Sequence, residues 1–239
     1  MAFFQEERPA REPFLRAPPV VVVLIGVLAA AHALRVLGPA RIADAMAEYG
    51  VLTPIVYSSS HLQALGIAAV DPLHQVLPPL GHLFLHADLT HLAINSVWLL
   101  AFGPVVARRF GAFGFLGFFV LCGLAGAAAF VAIEWGQNVG AIGASGAISG
   151  LMAAAIRMLQ RWSPWPGRAA YPLAPLLSPQ VLGITAVWMA LNLVSGLIGL
   201  GPGGTFQAIA WQDHLGGFVA GLLLAGPFDR YFGRRAPAA

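Results

Sequence analysis

Three groups of polar residues stand out in a chain that is otherwise strongly apolar. The first, Gly143-Ala144-Ser145-Gly146-Ala147-Ile148-Ser149-Gly150, sets a serine among small residues. The second, Trp211-Gln212-Asp213-His214-Leu215-Gly216-Gly217-Phe218-Val219-Ala220-Gly221, carries an imidazole followed by glycines at i+3 and i+7. The third ends in His91-Leu92-Ala93-Ile94-Asn95. A serine hydroxyl becomes a nucleophile when a base within about 2.6–3.2 Å takes its proton. The oxyanion formed by its attack on a carbonyl needs N–H donors aimed at it. A serine, a histidine and two donors are what acyl transfer requires.

Each group also has a purely structural reading. A helix beginning at Ser145 favours negative charge near its N-terminus and so suits an oxyanion. A serine at that place also caps a helix, and Gly146-x-x-x-Gly150 packs helices together. No strand precedes Ser145, and Ala144 and Gly146 flank it, so the segment is not a G-x-S-x-G elbow. His214, Gly217 and Gly221 share one helical stripe, where glycines let a second backbone come close. If the helices of Ser145 and His214 pack through their glycines with both residues at the same end, the pair meets. Otherwise His214 only starts a helix. His91 and Asn95, at i and i+4, project from one face, as an oxyanion hole or a polar tie between helices would require.

Other candidates carry less. His82, His86 and His91 with Asp88 offer metal-ligand types. The five-residue step from His86 to His91 leaves one helix face, however, and there is no H-E-x-x-H, so no metal is expected. Asp213 adjoins His214, but neighbouring helical residues point apart, and a solvated or structural carboxylate is the expectation. His32 reads as a packed polar residue. Cys122 is the single cysteine, which excludes an internal disulfide and suggests a buried thiol.

The elements that must position these residues are apolar stretches. Of 239 residues 58% are hydrophobic and 10% charged, with mean hydropathy +0.76. A water-soluble fold of that composition would expose large apolar patches, so a bilayer is the expected solvent. Six stretches can be drawn: Pro19–Leu37, Leu89–Val106, Phe113–Ile133, Ser145–Leu159, Val181–Ile198 and His214–Phe228. They imply an all-α, six-helix membrane bundle over 19–229, with an N-terminal segment 1–18 and a basic tail 230–239. The positive charges are all arginines. Arg8, Arg11, Arg16, Arg108, Arg109, Arg157, Arg161, Arg168, Arg230, Arg234 and Arg235 fall on one side of a six-span topology, Arg35 and Arg41 on the other. That alternation puts both termini in the cytoplasm and explains the basic balance without nucleic acid. A cleaved secretory signal ending near Ala31-His32-Ala33 would spoil it. The connection from Gly38 to Leu80 is expected to be a long, partly embedded external loop.

In order and setting, the three groups resemble the rhomboid family of intramembrane serine proteases, over roughly Gly81 to Phe228. Gly143-Ala144-Ser145-Gly146 is similar to the family's nucleophile motif, and His214 with Gly217 and Gly221 to its base motif. His91-x-x-x-Asn95, preceded by His82 and His86, is similar to its oxyanion motif. The resemblance implies a Ser–His dyad without an acid, cleavage of transmembrane protein substrates through an acyl-enzyme, and no cofactor. It also implies a multi-pass cell-membrane protein; the arginine- and alanine-rich composition suits a bacterial inner membrane. Two departures stand. Many members carry a large aromatic four residues after the nucleophile, packed on the histidine ring, where this chain has Ser149; Trp211 or Phe84 are candidate substitutes. A Trp-Arg pair common in the 1–2 loop is absent. A rhomboid-like pseudoprotease that binds transmembrane helices without cutting, and a small-solute or metal transporter, are the rival readings. The intact Ser145 and His214 weigh against the first, and the lack of inverted repeats and mid-span acids against the second.

Overall fold

A computed structural model describes residues 17–159, 172–198 and 210–233. Most of the expected N-terminal segment lies outside these residues, with Arg8, Arg11 and Arg16, as do Arg161, Arg168, Arg234 and Arg235. Among the described residues the chain is all-helical apart from one isolated two-residue bridge. The helices are α1 (Pro19–Leu37), α2 (Ala40–Gly50), α3 (Ser59–Ala64), α4 (Leu73–Val76), α5 (Pro78–Gly81), α6 (Leu89–Ile133), α7 (Ser145–Leu159), α8 (Pro179–Ile198) and α9 (Trp211–Phe232). Three of them, α1, α6 and α8 through Gly196, are long and apolar enough to cross a membrane. α7 is apolar but shorter.

Two expectations change. The second and third apolar stretches form one run, α6, broken only at Gly111, whose φ of 71° and ψ of 178° interrupt the helix. A side chain rarely adopts that φ, so glycine allows a sharp reversal within the interval 107–112 left between the two stretches. The Gly38 to Leu80 connection is not an open loop either. It folds into α2 to α5 and a 3-10 turn at Pro54–Tyr57.

Contacts at the helix ends give the direction of each pass. Arg35, in the last turn of α1, donates to the carbonyls of His86 and Ala87 at 2.5 and 2.9 Å, so α1 ends where α6 begins. At the far end of the first α6 limb, 89–110, Arg109 grips the Asp229 carboxylate near the end of α9 with two N–H groups at 2.5 and 2.9 Å. The second limb, 112–133, returns: Glu134 just beyond it accepts a hydrogen bond from Gln212 at the start of α9. α7 and α9 both begin at that returning end, and successive passes through the bundle therefore alternate.

The core lies among α1, α6, α7 and α9. Phe115, Phe118 and Phe119 on α6, Leu28 on α1 and Leu151 on α7 are fully enclosed. Val21 of α1 seats against Gly103 of α6. The outer faces stay apolar and exposed, as with Val23 and Leu37 of α1, Val187 and Leu191 of α8, and Leu223 of α9. Such faces have a favourable solvent in lipid and not in water. Arg157 lies in the last turn of α7. It is buried and donates to the carbonyls of Ala174 at 3.0 Å and Leu222 at 2.6 Å, which satisfies a charge that lipid would not.

Candidate active site

α7 and α9 meet through glycine. A Cβ added at Gly217 would strike the carbonyl oxygen of Gly146, and one at Gly221 the backbone of Gly150. Close backbone approach of this kind needs residues without side chains. Because both helices start at the same end, the approach brings their first turns together. His214 Nε2 lies 2.7 Å from Ser145 Oγ, within the distance for proton transfer.

Ser145 opens α7 without capping it, since its hydroxyl is engaged by the imidazole. The carbonyl of Ala144 accepts from the N–H of Ile148 at 3.0 Å, so Ala144 stands at the cap position and the Ser145 N–H belongs to the first turn. Amides there have no acceptor within the helix and are free for an anion. Gly143 precedes them at a φ of +126°, with its N–H donating to the His82 carbonyl at 2.8 Å. Around Gly143 the third group closes in. Where a Cβ would sit, His91 Nε2 is 2.8 Å away and Ser145 Oγ 3.6 Å away. Both the backbone angle and the space therefore require glycine at this position.

His91 is aimed by its own helix start. Asp88 caps α6 by accepting from the His91 N–H at 2.8 Å. The Ala87 N–H points at His91 Nδ1 at 3.4 Å, which makes Nδ1 the acceptor and leaves Nε2 to carry the proton. Asn95 is buried and faces the same cavity. Its amide gives one hydrogen to the His91 carbonyl at 3.0 Å, leaving the second available.

The cavity at these residues measures about 700 Å³. Ser145, His214, His91 and Asn95 line it together with Ile94, Trp98, Phe102, Met152 and Trp188. Trp98 and Trp188 meet edge to face across it, with centroids 6.4 Å apart. An apolar cavity with a few convergent polar groups at one end binds an apolar ligand and orients one polar bond.

The other singled-out residues separate from this site. Asp213 is buried and not solvated; its carboxylate turns away from His214 toward Gly126, Gly146 and His82, whose Nε2 is 3.6 Å off. Ser149, one turn past Ser145, donates to the Ser145 carbonyl at 2.8 Å. Trp211 packs its indole on Gly196, and Phe84 packs against the main core, so neither replaces the missing aromatic. His32 and Cys122 are buried, as expected. His86 is buried with both ring nitrogens unpartnered, and burial, followed by the neighbouring His91 and His32, lowers its pKa to about 4. Among the described residues no histidine, cysteine or carboxylate group forms a metal-binding cluster.

One residue at the site was absent from the sequence reading. Asn192 of α8 places Oδ1 2.7 Å from His214 Nδ1 and donates through Nδ2 to the Trp188 carbonyl at 2.9 Å. The signal was available, because an amide in the middle of an apolar run is costly in lipid and marks a site by default.

Comparison with known proteins bears on the whole arrangement. Rhomboid-like protein 11, chloroplastic, of Arabidopsis thaliana is 30% identical over 145 residues, covering 59% of this chain and 48% of that protein. The chain thus spans about half that relative's length. The family model of the Rhomboid domain matches residues 74–230, a stretch that runs from α4 into the last turn of α9 and includes all three polar groups. With most of its length in that match, the chain belongs to the rhomboid family.

Proposed function

We propose that the protein is an intramembrane serine endopeptidase that cleaves transmembrane protein substrates, with Ser145 as nucleophile and His214 as general base. The observation that carries the reading is the 2.7 Å contact between Ser145 Oγ and His214 Nε2 in the wall of a largely apolar cavity. A serine that only capped its helix would turn its oxygen to the backbone N–H groups of the first turn.

The chemistry follows the positions. The Ser145 hydroxyl passes its proton to His214 Nε2 as Oγ attacks the scissile carbonyl carbon. The new oxyanion is held by the Ser145 N–H with His91 Nε2–H and the free hydrogen of Asn95. His214 then returns the proton to the leaving amine, and the C–N bond breaks to leave an ester on Ser145. Water, deprotonated by the same imidazole, attacks the ester and releases the acid. The residues present complete both half-reactions.

All six helical passes cross the bilayer in this reading, with the arginine-rich end, Arg108, Arg109 and Arg230, on the cytoplasmic side. The site then lies near the opposite surface, where water can reach it. A substrate helix enters beside α8, which is only 11% enclosed over its apolar window. It must unwind to present a carbonyl, so residues that weaken a helix are expected near the cut.

The direct test is cleavage of a model transmembrane substrate by purified protein in proteoliposomes. Wild type cleaves it and Ser145→Ala does not. Equal cleavage by both would remove Ser145 from the reaction. Binding of the substrate without cleavage by well-folded wild type would instead make the protein a helix-binding pseudoprotease.

A further inference from the structure

We propose that Asn192 is the positioning residue of the catalytic pair: it locks His214 in the one tautomer whose Nε2 lone pair faces Ser145. The inference rests on the reading of Ser145 and His214 as nucleophile and base.

The proton arrangement follows from three hydrogen bonds in a row. A backbone carbonyl can only accept, so the group that Asn192 turns to the Trp188 carbonyl, 2.9 Å away, is its NH₂. The carbonyl end of the amide therefore faces His214, with Oδ1 2.7 Å from Nδ1. Oδ1 too can only accept, so Nδ1 carries the imidazole proton. A neutral imidazole has one N–H, which leaves Nε2 as the lone pair, 2.7 Å from Ser145 Oγ. The hydroxyl must then donate to Nε2, as attack requires. Reversing any one of these bonds would set two acceptors or two donors against each other.

The setting explains why an amide holds this place. Asn192 is largely buried, and its Oδ1 is engaged by His214 Nδ1 at 2.7 Å. A carboxylate there would orient the ring equally well, but taking its charge out of water costs several kcal/mol. The amide keeps its bond to Nδ1–H when His214 becomes an imidazolium, and brings no charge of its own. Asp213, adjacent in sequence, cannot take the role because its carboxylate is turned to Gly126, Gly146 and His82. Trp188, whose carbonyl fixes the amide, stacks on Phe218 of α9 with centroids 6.3 Å apart, which holds α8 in register with the helix of His214.

The test compares Asn192→Leu and Asn192→Asp with wild type and a Ser145→Ala control, in proteoliposomes, across pH. Asn192→Leu keeps the branched shape, is somewhat larger, and loses the acceptor; kcat is expected to fall on the order of 10²- to 10⁴-fold with KM nearly unchanged. Asn192→Asp keeps the acceptor and restores activity to within about tenfold of wild type. Its added negative charge favours the imidazolium, so the acid limb of the kcat profile moves to higher pH. The other groups around His214 are Ser145 on α7, His91 on α6 and Asp213 on its own helix; all are unchanged in both variants, so the displacement reports on position 192. A folded Asn192→Leu with wild-type kcat, or an Asn192→Asp profile superimposable on wild type, overturns the proposal. Should Asn192→Leu fail to fold, the Asn192→Asp profile decides alone. If Ser145→Ala cleaves normally, the failure belongs to the dyad and not to Asn192.

Discussion

Gly217 lies against the carbonyl of Gly146, and this backbone contact sets the separation of His214 from Ser145. The imidazole is three residues before Gly217 and the hydroxyl one before Gly146. A methyl group at Gly217 has no room, and the first turns of α7 and α9 must part. Gly217→Ala is expected to lower kcat on the order of 10²-fold, the usual result of misplacing reacting groups by about 1 Å. Overpacking should also cost about 1–3 kcal/mol of stability, read as a lower melting temperature in detergent. Wild-type kinetics in Gly217→Ala would show that the glycine contact does not position the pair.

The two oxyanion donors proposed above are separable by mutation. His91→Ala and Asn95→Ala each remove one donor, and each is expected to reduce kcat on the order of 10²- to 10³-fold while leaving KM close to wild type. Gly143→Ala should resemble His91→Ala, because its methyl group would displace the His91 ring and its φ of +126° disfavours any side chain. A change confined to KM would place these residues in substrate binding instead.

The polar pattern made the candidate pair legible. In a chain this apolar, Ser145, His214, His91 and Asn95 stood out because few other polar residues sit at helix starts. The glycines at Gly217 and Gly221 showed which face of the helix would be approached. Asn192 was harder to place. A lone amide within an apolar run looks the same whether it ties helices or orients a base, and only the position of α8 against α9 distinguishes the two. The fate of Asp213 was hidden for a similar reason. Adjacency to His214 said where it was not, while its neighbour His82 lies 131 positions earlier and reaches it only in three dimensions. The reversal at Gly111 was masked by Arg108 and Arg109, which signal an end of a span but not the length of the turn.

His86 makes stability depend on pH. Its ordinary value of 6.5 falls to about 4 in the fold, chiefly through burial. Above pH 6.5 the group is neutral in both folded and unfolded chains and has no effect. As pH falls below 6.5 the unfolded chain gains a proton that the folded one refuses, and stability is lost until about pH 4. The loss from this one group is on the order of 3 kcal/mol. Thermal melting in detergent from pH 7.5 to 4.5 should show the decline, and His86→Phe should flatten it. Parallel curves for the two proteins would assign the acid sensitivity elsewhere.

The bidentate contact of Arg109 with Asp229 joins the Gly111 reversal to the end of α9, far from the site. Asp229→Asn is expected to lower the melting temperature while leaving kcat and KM within about twofold of wild type, since a partly exposed pair contributes on the order of 1 kcal/mol. Proteoliposome kinetics and melting on the same preparation check this. A loss of kcat without a loss of stability would couple that end of the bundle to the chemistry.

The central claim is that His214 activates Ser145, and labelling with a fluorophosphonate measures that activation without knowledge of the substrate. Wild type in detergent is expected to become covalently labelled, while Ser145→Ala and His214→Ala, both folded by their melting curves, are not. Labelling of Ser145→Ala equal to wild type, or no labelling of folded wild type, would contradict the account.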